Sequence, residues 1–204
     1  MIDIDFKWTR SLLGYECVDT GNMRRIQPTG KKRDEPFEPL KIEAALYLRF
    51  AELDGSEDAC LQFAQAWGLL LSEVQTTGER LADWRNAIRE MKNAVSALGA
   101  LDEQPGGIVR KAKPGEMVKI TSLDVLLRAG GHGSRPALVL KPRHLQAAMY
   151  LQLGKFVDGA GSIGVCKQCS GWFERGASDS RRNIAIFCSE KCKNRFHYLE
   201  RAAR

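Results

Sequence analysis

The chain has 204 residues, 44% of them apolar and 27% charged, with a formal net charge of +6. That length supports a buried core in one main domain plus a small appendix, and no apolar run reaches the roughly 20 residues of a membrane span. The opening "MIDIDFKWTR" carries acids where a signal peptide needs positive charge followed by an apolar stretch, so a cytosolic address is expected.

Residues 1–39 show little periodicity. "IDFKW" reads as a short strand and "TGNMRRIQPTGKKRDEP" as a loop rich in breakers. "PLKIEAALYLRFAEL" then turns helical, with Leu40, Ala44, Leu48 and Ala51 at helical spacing. "EDACLQFAQAWGLLLSEV" reads as a buried helix capped by Ser56. In "GERLADWRNAIREMKNAVSALGAL" the residues Leu81, Trp84, Ile88, Met91, Val95 and Leu98 make one continuous stripe. That stripe suits an intramolecular core or a short coiled-coil homodimer seam.

"EQPGGIVRKAKPGE" breaks the helical run, and "MVKITSL" with "PALVLKP" reads as a small two-stranded element. "GGHGSRP" between them lacks the strand-then-helix context of a phosphate cradle and reads as a turn. A last helix of this part begins near Pro142, with Leu145, Met149, Gln152, Leu153, Phe156 and Val157 on its inner face, and "DGAGS" ends it. The expected fold class is mainly α (α+β). An α-helical N-terminal domain with a small β element covers 1–160, and a four-cysteine finger follows over 164–204.

The chemistry concentrates in that finger. Cys166 and Cys169 form C-x2-C, and after eighteen residues Cys188 and Cys192 form C-x3-C. A C-x2-C turn aims two thiolates at one point, and i and i+4 on the first turn of a helix aim two more. Four thiolates in a closed tetrahedron select zinc and leave no place for a reactive water, so one structural zinc is expected. A redox C-x-x-C belongs at a strand-to-helix junction of an α/β pattern, and disulfides are disfavoured in a reducing compartment. "SGWFE" and "NIAIF" are expected to pair as a hairpin, with Trp172, Phe173, Ile184, Ile186 and Phe187 covering the metal. About 40 residues cannot build a core of their own without the metal. Cys17 and Cys60 stand apart and read as ordinary thiols.

Residues 166–204 hold nine Lys/Arg against four acids, so +5 of the net +6 lies in this segment. Ser189 is placed to cap a helix reaching about Ala203, whose Cys192, Phe196, Leu199 and Ala203 would face the metal and hairpin. Lys191, Asn194, Arg195, Tyr198 and Arg201 lie on one flank, and Lys193, His197 and Arg204 on the other. Basic and amide side chains on such a helix contact phosphates and base edges, and charged residues also simply solvate a helix face. The candidate nucleic-acid-binding residues are Arg181, Arg182, Lys191, Lys193, Asn194, Arg195 and Arg201.

The pattern "CKQC…WFE…R…FCSEKCKNRFHYLER" resembles the treble-clef zinc fingers of bacterial proteins, in particular the CGNR zinc-finger family. The family's Cys-Gly-Asn-Arg stands here as Cys192-Lys193-Asn194-Arg195, and the C-x3-C spacing is similar to that of the bacterial gyrase-inhibitor zinc protein. The resemblance covers about 40 residues, and the two-part layout matches more loosely. It implies a DNA-binding finger behind an N-terminal domain that senses a small-molecule effector or stress. The expected function is therefore a bacterial DNA-binding transcriptional regulator. A protein-interaction adaptor using Trp172, Phe173 and Tyr198 is the alternative. No nucleophile–base pair or phosphate-binding fingerprint points to an enzyme.

Overall fold

The computed structural model describes residues 2–21, 23–30, 34–71, 78–99, 122–128, 137–159, 161–175 and 185–202. They divide into two units, drawn from Met1–Met91 with Val118–Gln152 and from Lys92–Met117 with Leu153–Arg204. The architecture is mixed α+β rather than mainly α.

The excess of strand comes from the N-terminal forty residues, of which 20–36 read as a breaker-rich loop. β1 (Ile2–Ile4), β2 (Trp8–Ser11), β3 (Tyr15–Thr20), β4 (Met23–Pro28) and β5 (Asp34–Phe37) all form there. β3 and β4 make an antiparallel hairpin with Thr20 opposite Met23 and Cys17 opposite Ile26. The link opens on Gly21 at φ +64°, a conformation that glycine adopts without steric cost. β2 pairs antiparallel with β5, and Ile26 of β4 is fully buried.

Both early helical predictions are cut short, each by a specific contact. "PLKIEAALYLRFAEL" splits into α1 (Pro39–Ile42) and α2 (Leu46–Ala51), with Glu43 extended between them. The Gln152 side chain occupies the gap: its amide donates to Glu43 O at 2.8 Å, and its carbonyl accepts from Tyr47 N at 3.3 Å. Those bonds replace helical ones that periodicity anticipates. α3 (Glu57–Trp67) starts as predicted, Ser56 Oγ accepting from Ala59 N, but ends at Gly68, φ +83°. The N–H groups of Leu70 and Leu71 then turn to the buried Glu79 carboxylate, at 2.9 and 2.6 Å.

β6 (Glu79–Arg80) adds to β4, and α4 (Leu81–Gly99) follows. Its predicted stripe is buried at Leu81, Trp84, Ile88, Met91 and Val95. Trp84 packs edge-on to Phe50 and Phe63, with centroids at 6.3 and 6.1 Å, so this part of the stripe serves an internal core. Trp8 stacks on Phe6 and donates its indole N–H to Leu69 O at 3.0 Å.

β7 (Leu123–Arg128) pairs with β8 (Ala137–Pro142), and β1 joins β8 in parallel. The partner of "PALVLKP" is thus "LDVLLR" rather than "MVKITSL", of which 117–121 lie outside the described residues, as does 130–136. Pro142 closes β8 instead of opening a helix. α5 (Leu145–Asp158) begins three residues on, with His144 Nδ1 accepting from Ala147 N at 3.0 Å as its cap.

In the second unit β9 (Ser162–Val165) and β10 (Trp172–Arg175) form an antiparallel hairpin, Val165 opposite Trp172. α6 (Glu190–Ala202) follows. Among the described residues no helix is long and apolar enough to cross a membrane.

Candidate metal centre and basic helix

The tip of the β9–β10 hairpin is the C-x2-C turn. Cys166 N donates to Gly171 O at 2.9 Å and Ser170 N to Cys166 O at 2.8 Å, folding the six residues from Cys166 to Gly171 into a tight knuckle. Ser170 takes φ +59°, unusual for a residue with a Cβ. "WFER" therefore pairs with "SIGV", the strand before the cysteines. The expected partner "NIAIF" lies partly outside the described residues. Ile186 instead accepts a backbone bond from Lys167 N at 2.9 Å, tying the knuckle to the chain entering α6.

Cys188 precedes α6 and Cys192 stands in its first turn. Ser189 is the cap: Cys192 N donates to Ser189 Oγ at 3.3 Å. The knuckle and the helix start bring the sulfur atoms of Cys166, Cys169, Cys188 and Cys192 within 4.8 Å of one another. All four are free thiols, with Sγ–Sγ separations of 3.8 Å (Cys169–Cys188) and 3.5 Å (Cys188–Cys192). Four sulfurs at about 2.3 Å from a tetrahedral ion lie about 3.8 Å apart. The cluster is therefore of a size to hold a metal ion.

Its electrostatics suit a cation. Cys166 is only 1% exposed, and burial alone would keep its thiol protonated. The backbone N–H groups of Cys188, Cys169 and Gln168 outweigh that and hold it at about 6. Burial, then the neighbouring thiols, push Cys188 up to about 12, because the sulfurs crowd one another. Without a cation the crowding favours one thiolate, at Cys166, and keeps Cys188 protonated; a positive ion among the four sulfurs would favour the thiolate form of all of them.

Around the knuckle, Phe187 contacts Phe196 with centroids at 5.2 Å, and Lys167 Nζ lies 5.6 Å from the Phe196 ring centre. Trp172 and Phe173 are half-buried. Two members of the expected inner face differ: Leu199 is 49% exposed and Ile186 47%. α6 has no buried residue, and its ring contacts with Phe187 come from Phe196 and His197. Ile184 and Ala203 lie outside the described residues.

Of the candidate nucleic-acid residues, Lys191, Lys193, Asn194, Arg195 and Arg201 are exposed on α6. Arg181, Arg182 and Arg204 lie outside the described residues. Lys193 is 3.8 Å from Glu190, and His197 is 3.4 Å from Glu200.

In the first unit, burial pushes the thiols of Cys17 on β3 and Cys60 on α3 up to about 11, which makes them poor nucleophiles. The same unit contains a cavity of about 410 Å3, lined in part by Arg25, Leu70, Glu79, Trp84, Glu90 and Gln146. Sequence reasoning did not anticipate it, since its lining residues come from four separate segments. Comparison of the chain with family models, curated proteins and solved structures finds no match to any of them.

Proposed function

We propose that this protein is a zinc-finger protein that contacts DNA, acting as a transcriptional regulator rather than an enzyme. One zinc ion bound by Cys166, Cys169, Cys188 and Cys192 has a structural role. The observation that carries the reading is the four-sulfur cluster at the start of an exposed basic helix. Bound to four thiolates, the ion supplies the folding energy that so small a unit lacks. The knuckle-then-helix order supports the treble-clef resemblance. With four thiolates on a divalent ion, residues 166–204 keep a net charge near +3, still suited to a polyanion. The 410 Å3 cavity is of a size for a small-molecule effector, which is the role assigned to the first unit.

The test uses the full chain, assayed for zinc and titrated with a random DNA duplex at two salt concentrations. One bound zinc per chain and affinity that falls as salt rises support the reading. Zinc-loaded protein with no affinity for nucleic acid would overturn it. A second reading, a protein-interaction adaptor, is favoured by Tyr198, 72% exposed beside the half-exposed Leu199. It predicts binding to a protein partner that depends little on salt and is lost on Tyr198→Ala.

A further inference from the structure

The two flanks of α6 differ chemically. On one, Lys193 stands beside Glu190 and His197 beside Glu200 at i,i+3 spacing, so each has an acid next to it. On the other, Lys191, Asn194, Arg195, Tyr198 and Arg201 fall within a sector of about 120° with no acid among them. Among the described residues, Lys191, Arg195 and Arg201 form no ion pair. Tyr198 lies in the middle of this sector, three residues from Arg195 and from Arg201, and is the most exposed large apolar side chain recorded, at 72%.

An exposed tyrosine ring among cations offers a stacking surface as well as positive charge. A duplex offers phosphates and base edges but keeps its base faces stacked inside. An unpaired strand offers both phosphates and free base faces, and aromatic rings set along a positive track are how proteins hold it. We infer that the Lys191–Asn194–Arg195–Tyr198–Arg201 flank of α6 binds single-stranded DNA, with a base stacked on Tyr198 and the backbone on the three cations. Lys193 and His197 take no part. The inference rests on the nucleic-acid reading above and narrows it to a strand and a flank.

Three phosphate contacts on a single strand give log K against log [salt] a slope of about −2, or roughly a 20-fold loss between 50 and 200 mM salt. The experiment measures fluorescence anisotropy of the zinc-loaded full chain on an oligothymidylate of roughly 12 nucleotides. A duplex of the same length is measured beside it. The expected result is tighter binding to the single strand, weakened roughly 5- to 150-fold by Tyr198→Ala and retained by Tyr198→Phe. Arg195→Ala should flatten the salt slope by about 0.7, and Lys193→Ala should leave it unchanged. Zinc content and helical circular dichroism of each variant verify that the exposed substitutions leave the fold intact. Tighter duplex binding, an unaffected Tyr198→Ala, or a Lys193→Ala effect equal to that of Arg195→Ala would overturn this inference while leaving the nucleic-acid reading standing. Absence of binding to either probe would overturn both.

Discussion

Removal of one metal ligand tests the proposed site most directly, and the structure says the four cysteines are not equivalent. Zinc binding in small Cys/His domains is worth roughly 10–16 kcal/mol, about 3 kcal/mol per ligand if shared evenly, or over 100-fold in affinity. Cys188→Ser should lose at least that much, since the remaining three sulfurs cannot close the tetrahedron. Cys166→Ser should lose more: Cys166 Sγ accepts the N–H groups of Cys188, Cys169 and Gln168, and it is the buried member of the four, Cys169 and Cys188 being exposed. An oxygen of smaller radius reaches those donors poorly. α6 has thirteen residues and none buried, so on its own it is marginal in water. Competition with a chromophoric chelator reads the affinity, and amide hydrogen exchange reads the helix. In Cys188→Ser the amides of 190–202 should exchange at near-random-coil rates, while those of α3 stay protected. Zinc retention together with a protected α6 in that variant would refute the claim that the metal organises this unit.

Other outcomes follow from single contacts. Ser170→Gly relieves a left-handed backbone at φ +59° and should strengthen the metal-loaded finger by about 1 kcal/mol, seen as slower zinc release to a chelator; unchanged or faster release would contradict the strain. Glu79→Ala removes the acceptor for the N–H groups of Leu70 and Leu71 and should cost about 2–4 kcal/mol in urea unfolding of the first unit; a loss below about 1 kcal/mol would mean water replaces the carboxylate. Burial holds His144 below its ordinary value of 6.5, and its neutral Nδ1 caps α5. The stability it contributes is present above pH 6.5 and is lost as pH falls through the lowered value. The loss should be about 1 kcal/mol, and His144→Asn should keep the cap and flatten that acid limb; a limb unchanged by His144→Asn would place the titration elsewhere.

What the sequence determined by itself is local. The spacing of the four cysteines, the Ser56 and Ser189 caps and the stripe from Leu81 to Val95 depend on neighbours within a turn or two, and all are found as read. The Gly21-Asn22 pair is a hairpin signal that reading 20–36 as a loop missed, because the charged residues on both sides hide any alternation. Tertiary structure decided the rest. Gln152, more than a hundred residues from Glu43 and Tyr47, takes the bonds that would have joined α1 to α2. Glu79 draws Leu70 and Leu71 out of the predicted helix. "WFER" pairs with the strand before the cysteines, the knuckle closing that hairpin over six residues. The neutralised and uncompensated flanks of α6 likewise emerge only once the side chains are placed, because a helix wheel assigns positions to a face but does not say which acids reach which cations.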